Sequence, residues 1–592
     1  MMRLKMKKFF LLIAMAFFAT SNVNAGIYNV SNTEELNNAI NSVSDGDTIK
    51  IAQNILLTND LDTITKSITI TAGTDNQGRP FVVSGNQQQF KTFIFAKQSN
   101  SKVENITIQE SGGGVYDGGQ IIIAPAAIKV IDSASIIVNN LFTYNNDVGI
   151  YFESVGNYNI DNFSSMYDLR GIVVENSNRN KNYIRNSTFR GGTSGIRLSG
   201  TNVEINNIVL DDYIYGIELI IHGDTNKSVN AVIENITITN IIIRDGIVID
   251  VFCNAYINNA TIKYSSSDRG SGINIFGNCV LCNSTIGDNA GTGVRVSGGH
   301  SAGNVLISNC TISRNANQGI AVICGKVSII NTTVTNNGND GLTTGRYWYS
   351  SDSSDTKILV SNSIFYDNSG ADFSDSSYPT SLNIFNSVYK TYKGKQPDKI
   401  ENCSQENPLL VAKYKENENL IEYYLPQSGS SAINLADSRF ASEDFLTKFD
   451  GEHFLDLPNN FNRANYFDSL LNYDQIGSKR KIENGKYTAG SIDYNTSGIS
   501  ANFVTAMDIE VFPNPAENNI INFRFNLQEA GNTKLTISNV MGQVVAIVVD
   551  GYCNASEYTF ANFNISDLPT GAYYYTLTSN SRTTTKMFNI IR

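Results

Sequence analysis

Histidine is nearly missing from this 592-residue chain, which has three, together with one tryptophan and seven cysteines. The lone Cys-x-x-Cys, "CVLC" (279–282), is at most half a zinc site, because no second pair follows to complete it. Seven cysteines are too few for a disulfide scaffold at this length, and an odd count leaves at least one unpaired. Past the N-terminus no apolar run approaches membrane-spanning length. Positive charge is short as well. The formal net charge of −11 excludes general nucleic-acid binding, which needs a basic surface to neutralise phosphate. It leaves room for a local basic groove that takes an acidic polysaccharide.

The N-terminus does hold basic and apolar residues, in the order of a secretory signal peptide. "MMRLKMKK" is basic, "FFLLIAMAFFA" is apolar and too short to anchor, and "VNA" ends at Ala25 with small residues two apart. Removing residues 1–25 takes away Arg3, Lys5, Lys7 and Lys8 and moves the net charge from −11 to −15. The expected mature chain starts at about Gly26 and is exported. Its length implies two or three domains, or one long repeat domain with smaller ones.

What the chain has in abundance is a repeat. The Asn of "N-x-T-I" recurs at 105, 140, 162, 186, 207, 235, 259, 283, 309, 331, 362 and 386. A second marker, Gly before apolar-x-apolar, follows at 149, 171, 195, 216, 246, 272, 293, 319 and 341. Around these markers apolar residues alternate with polar ones: Val203 and Ile205, Ile208 and Leu210, then Ile217 and Leu219. Each copy therefore predicts three short strands with one apolar face, separated by Asn and Gly turns that take positive φ. Such a copy cannot bury its apolar face alone. Stacked as coils, strand on like strand, the copies form three parallel sheets around a continuous core. At about 4.8 Å per coil, about a dozen coils make a rod of roughly 55–60 Å.

The anchor asparagines are expected to stack into an internal amide ladder that pairs buried backbone groups. The several "N-x-T/S" glycosylation-like sequences follow from the repeat register alone. An open coil end needs covering, and "SNTEELNNAINSV" (31–43) predicts a capping helix. Ser31 and Glu34 have capping-box spacing there, and Leu36, Ala39, Ile40 and Val43 share one face. "DTIKI" and "KSITITAG" follow as the first strands. From about Met507 the composition changes to alternating short strands over about 85 residues, which predicts a small β-sandwich.

On this pattern residues 26–400 resemble the right-handed parallel β-helix superfamily of pectate lyases, glycosidases and surface adhesins. "YYLPQSGSSAIN" (423–434) and "YTAGSIDYN" (487–495), within an irregular stretch at 401–500, resemble the closing segment of exported β-helix proteins of Bacteroidota. "VFPNP" (511–515), "MGQVV" (541–545), "LPTGAYYYTL" (568–577) and "KMFNIIR" (586–592) resemble the C-terminal sorting domain of type IX secretion substrates, placing that domain at 507–592. The resemblance implies an all-β chain handled by the type IX machinery, with release or a lipopolysaccharide anchor at the outer-membrane surface. It also implies a monomer.

In the β-helix superfamily chemistry sits on an outer sheet face and in adjoining loops. The outward positions two after each Gly are Tyr151, Val173, Arg197, Glu218, Val248, Asn274, Arg295, Ala321 and Thr343. Arg197 and Glu218 are expected on adjacent coils, near Glu153, Glu175, Asp211 and Asp212, with Arg170, Arg244, Asp245 and His222 at nearby turns. The candidate catalytic set is Arg197, Glu218, Asp211, Asp212, Arg170 and Arg244. A lyase needs a base and Ca2+ or protein cations on the substrate carboxylate; a glycosidase needs two facing carboxylates. A purely solvated face with cross-strand pairs explains the same charges.

The resemblance stops short of the family signatures. The pectate lyase "WiDH"-type motif is absent, since the sole tryptophan is Trp348 in "GRYWYSS". "GGHSAG" (298–303) is not the Gly-His-Gly of polygalacturonases, and Asp211–Asp212 matches their Asp-Asp motif only loosely. Two readings remain, both on polysaccharide. One is a surface protein that binds glycan, for which the aromatic excursion "TTGRYWYSSDSSD" (343–355) suits sugar stacking; the other is a lyase or glycoside hydrolase.

Overall fold

The computed structural model describes residues 25–590 apart from 87–89, 112–114, 118–119, 124–125, 178–181, 222–227, 298–302, 346–355, 376–379, 415–420, 443–468, 471, 495–508, 513–515, 517–519, 528–530, 540–542, 554–555, 567 and 581. The signal segment before Ala25, His222, His300 and Trp348 lie outside the described residues, as do parts of the 511–515 and 541–545 motifs. Two compact units emerge: residues 1–475 with 481–494, and residues 476–480 with 495–592.

The first unit is a parallel β-helix. Strand follows strand in parallel register, as in Lys102–Glu104 under Ile137–Asn139 and Ile106–Gln109 under Leu141–Tyr144. The inward rows are apolar and almost fully buried; Ile205, Leu210, Ile217, Ile233, Ile238 and Ile247 are all 0% exposed. Each such side chain contributes about 1.5–3 kcal/mol by leaving water, and one continuous core links Val30 to Tyr389.

Two left-handed corners per coil explain why the repeat is spelled as it is. All twelve anchor asparagines have φ between 46° and 57°, a region Asn tolerates better than other side-chain-bearing residues. Five residues later comes a second left-handed corner, at Glu110, Asn145, Tyr167, Gly191, Asp212, Asn240, Tyr264, Asp288, Arg314, Asn336 and Asp367. Between the two corners lies the short second strand. Asn402, with φ of 51°, continues the first corner beyond the last anchor.

The marker glycines work differently from the expectation. None of them has positive φ. They are glycine because the coils approach there: a Cβ on Gly216 would lie 2.3 Å from the Gly246 carbonyl oxygen, and one on Gly171 2.5 Å from that of Gly195.

The amide ladder also differs. The anchor side chains do stack, as in Asn140 to Asn105 (2.8 Å) and Asn259 to Asn235 (2.7 Å), but these pairs are exposed on the outside of the corner. The buried ladder sits six residues after the anchor. Asn289 donates to Asn315 (2.9 Å), Asn315 to Asn337 (3.0 Å), Asn337 to Asn368 (2.9 Å) and Asn368 to Asp372 (2.9 Å). Each amide donates toward the C-terminus, so the chain of bonds ends on a residue that only accepts.

Near the N-terminus, helix α1 spans Thr33–Ser42. Leu36, Ala39, Ile40 and Val43 are buried in the core as the spacing predicts. Its cap is Asn32, not Ser31: the Asn32 side chain accepts from the Glu35 backbone N–H at 2.9 Å, and Glu35 accepts from the Ser31 N–H at 2.7 Å. The box is shifted by one residue because Asn accepts as well as Ser at this position.

The segment after Glu401 runs back along the flank of the coils. Tyr487 and Asp437 take over the anchor amides: the Tyr487 hydroxyl donates to Asn331 at 2.7 Å and accepts from Asn362 at 2.8 Å, and Asn362 also donates to the Asp437 carbonyl at 3.0 Å. Ala441 and Leu470 cover the outward Val280, Cys282, Leu306, Ile330, Leu359 and Phe385. Asn331 and Asn362 are consequently fully buried and Asn309 nearly so, unlike the exposed anchors Asn140 and Asn259.

The second unit is antiparallel. Ile509–Phe512, Ile520–Leu527 and Ser556–Asn564 form one sheet; Val544–Cys553, Gly531–Asn539, Gly571–Ser579 and Arg582–Ile590 form the other. Phe523, Leu535, Tyr575 and Phe588 meet in a single core, which is a β-sandwich.

Candidate functional site on the third sheet

The strands after the marker glycines form the third sheet, and their outward positions align coil by coil. The register runs Lys129, Tyr151, Val173, Arg197, Glu218, Val248, Asn274, Arg295 and ends with Ala321 and Thr343. The row deduced from the repeat is therefore one continuous line of side chains, spaced by about 4.8 Å.

Its N-terminal end is a compact polar cluster on an apolar floor. The Tyr151 hydroxyl donates to Glu175 Oε2 at 2.6 Å. The Lys129 ammonium pairs with Glu153 at 3.1 Å and sits 5.1 Å from the centre of the Tyr151 ring. Burial, then the bond to Glu175 and the charge of Glu153, push the Tyr151 hydroxyl well above the ordinary phenol range, against the pull of Arg170. The tyrosine therefore stays protonated and can donate. Arg170 is half-buried, in register between Val148 and Ser194. Val173, Val148 and Ala126 pack beside Tyr151 as the floor.

Arg197 and Glu218 are register neighbours, as expected. The bond that Glu218 makes among the described residues is nonetheless from Ser194 Oγ, at 2.6 Å, and the residue is 8% exposed. Further along, Asp245 accepts from the Ser271 N–H at 2.6 Å. Burial raises its carboxyl above the usual range, while the Ser271 bond, Asn274, Arg295 and the exposed Arg244 oppose this. The Arg295 Nε is buried with no hydrogen-bond partner.

Asp211 and Asp212 are placed elsewhere. Asp211 ends a second-sheet strand, accepting from Thr239 Oγ1 at 2.9 Å and Asn240 Nδ2 at 2.7 Å, with Arg190 at 3.7 Å. Asp212 is the second left-handed corner of its coil, with φ of 64°. Backbone geometry accounts for its residue type, and none of these bonds reaches Arg197 or Glu218. Tyr151 and Lys129 are side chains of this cluster that the candidate set left out; the two-after-Gly pattern had already named Tyr151 as outward. Among the described residues no three His, Cys, Asp or Glu side chains converge on a point that could hold a metal ion, so no step is assigned to Ca2+. Cys279 and Cys282 are free and buried. Burial pushes both thiols above the ordinary range.

Residues 215–396 match the family described as right handed beta helix region, and residues 510–591 match secretion system C-terminal sorting domain. No curated protein matches the chain. Among solved structures, the periplasmic alginate epimerase AlgG is 11% identical, with 62% of this chain and 84% of that one covered and a TM-score of 0.38. The catalytic domain of a GH87 alpha-1,3-glucanase in complex with nigerose is 12% identical, with 61% and 70% covered and a TM-score of 0.37. Pectate lyase Pel9A is 11% identical, with 80% and 98% covered and a TM-score of 0.28. No residue role is carried over from them. Within the described residues no helix is long and apolar enough to cross a membrane. The chain thus joins a right-handed parallel β-helix to a type IX secretion sorting domain, which directs it to the cell surface or the extracellular space.

Proposed function

We propose that the exported β-helix binds polysaccharide along the outer face of its third sheet. The observation that supports this reading is the in-register row from Lys129 to Arg295, in which a tyrosine, an amide and charges of both signs line one face. A linear row of donors and acceptors on a rigid sheet suits a linear, hydroxyl-rich ligand, because the groups are already held in place before binding. The outward faces of the first and second sheets are, by contrast, partly spent on packing the segment after Glu401.

Cleavage of the bound chain is the second reading, favoured by the Tyr151–Glu175 pair beside Glu153 and Arg170. A protonated phenol and neighbouring carboxylates are the groups that general acid–base chemistry uses. The full chain, incubated with a panel of neutral and acidic polysaccharides with and without Ca2+, separates the readings. Ultraviolet absorbance from an unsaturated product means a lyase, and new reducing ends without it mean a hydrolase. Retention without product means a binding protein. Absence of both retention and product across the panel overturns the proposal.

A further inference from the structure

We infer a second glycan-binding strip along the second left-handed corner of the coils, which takes an extended neutral polysaccharide. It rests on the reading that the exported rod binds polysaccharide. At this corner most coils place Asn, Asp or Gly, the residues that reach positive φ at least cost. Glu110 (φ 54°), Tyr167 (φ 56°), Tyr264 (φ 62°) and Arg314 (φ 55°) break that rule. Glu110 is bonded by Ser84 and Arg314 is paired with Asp288, and the two tyrosines are the aromatic exceptions. A bulky side chain held there carries strain of the kind that persists where function requires it. Neither ring repays it by filling the core, since they are 51% and 38% exposed.

The arrangement between the two rings fits a sugar chain. Tyr167 sits edge-on to Tyr144, ring centres 6.0 Å apart. Gly191 on the next coil lets its ring lie over that corner; a Cβ there would be 2.7 Å from Tyr167 Cδ1. Then come the exposed Asp212 and the exposed Asn240, whose amide nitrogen is bonded to Asp211. Tyr264 follows four coils after Tyr167, about 19 Å along the axis at about 4.8 Å per coil. The same corner row continues through Asp288 and Arg314, ion-paired at 2.5 Å, into a pocket of about 570 Å³ formed with Asn336, Leu410 and Tyr424. Flat amphipathic rings separated by short polar side chains match the alternating apolar faces and hydroxyl edges of a pyranose chain. The charges along the strip are Arg190, Asp211, Asp212, Asp288 and Arg314, with the arginines paired internally. Among the described residues of the strip no unpaired cation is present to reward a polyuronate, which favours a neutral ligand.

Affinity electrophoresis of the full chain through gels containing hydroxyethyl cellulose, laminarin, xylan, polygalacturonate or alginate tests this. The informative variant is Tyr167→Asn with Tyr264→Asn, because Asn suits the corner and keeps the fold. Retention by at least one neutral glycan is expected to fall at least about tenfold with an undiminished melting temperature. Unchanged retention in the double variant, or retention by polyuronates alone, overturns the strip and leaves the third-sheet reading standing. A wild-type chain held by none of the five overturns both.

Discussion

Asp168 is the point at which the interior of the β-helix should respond to pH. Its carboxylate is fully buried. One oxygen accepts from the Asn146 backbone N–H at 2.9 Å and side chain at 2.8 Å; the other accepts from Ser165 at 2.7 Å and from Thr143. Four hydrogen bonds favour the charged form, but desolvation outweighs them and lifts the carboxyl from 3.8 to about 6. The folded state therefore holds a proton that the unfolded chain releases between those values. Stability contributed by the protonated group is complete below about pH 4 and is lost as pH rises through about 6. The displacement corresponds to about 3 kcal/mol across that window. Asp168→Asn removes the titration while keeping the shape. The new amide oxygen still accepts from Asn146, and its nitrogen can donate to Thr143 and Ser165, whose hydroxyls accept as readily as they donate. Asn-to-Asn stacking already serves at Asn315 and Asn337. Thermal melts of the two proteins at pH 4.5 and pH 7.5 should show the variant gaining on the wild type by about 2 kcal/mol at the higher pH, since part of the effect is already lost at pH 4.5. A difference that stays constant between the two pH values would refute the reasoning.

Two other perturbations follow from buried groups. Tyr487→Phe deletes the hydroxyl shared by Asn331 and Asn362, leaving two buried amides short of a partner at a cost of about 1–3 kcal/mol; limited proteolysis should cut between 401 and 494 sooner, and an unchanged digestion pattern would show that the flank segment does not depend on this hydroxyl. Cys253, Cys279, Cys282 and Cys310 are buried, and burial pushes the thiols of Cys253 and Cys310 up to about 12, so a charged thiol reagent should leave all four untouched in the native protein at pH 8 and label them in denaturant; rapid native labelling of any of them would contradict the packing.

How much of this was legible in the sequence depends on what each residue type encodes. Burial on a strand is written as alternation, so Ile217 and Leu219 could be assigned inward and Arg197 and Glu218 outward before any coordinates existed. The anchor asparagines announced a fixed backbone position, but not which side of it faced water. An amide serves an exposed ladder and a buried one equally well, and so the real interior ladder, six residues on, stayed hidden although "NSTIGDN", "NCTISRN" and "NTTVTNN" spell it. Glycine was ambiguous in the same way, since it answers both to positive φ and to close approach; only the 2.3–2.9 Å gaps to the next coil decide for the second. The candidate site divides along this line. Arg197, Glu218 and Tyr151 were reachable because the row is a matter of period.

Asp211 and Asp212 misled for a converse reason. Two adjacent carboxylates carry a chemical meaning, whereas the corner that explains Asp212 becomes visible only when eleven coils are aligned at a position filled by Asn, Asp, Gly, Tyr, Arg and Glu alike. Once that corner is known, the exceptions gain meaning that they lacked in the linear sequence. A tyrosine between strands is unremarkable as composition, but Tyr167 and Tyr264 stand where φ disfavours them and where the core receives little from them. An array that reuses one backbone conformation eleven times supplies its own reference state. A departure from it is a local cost, and rings that stay substantially exposed while bearing that cost are the ones to test for contact with a ligand.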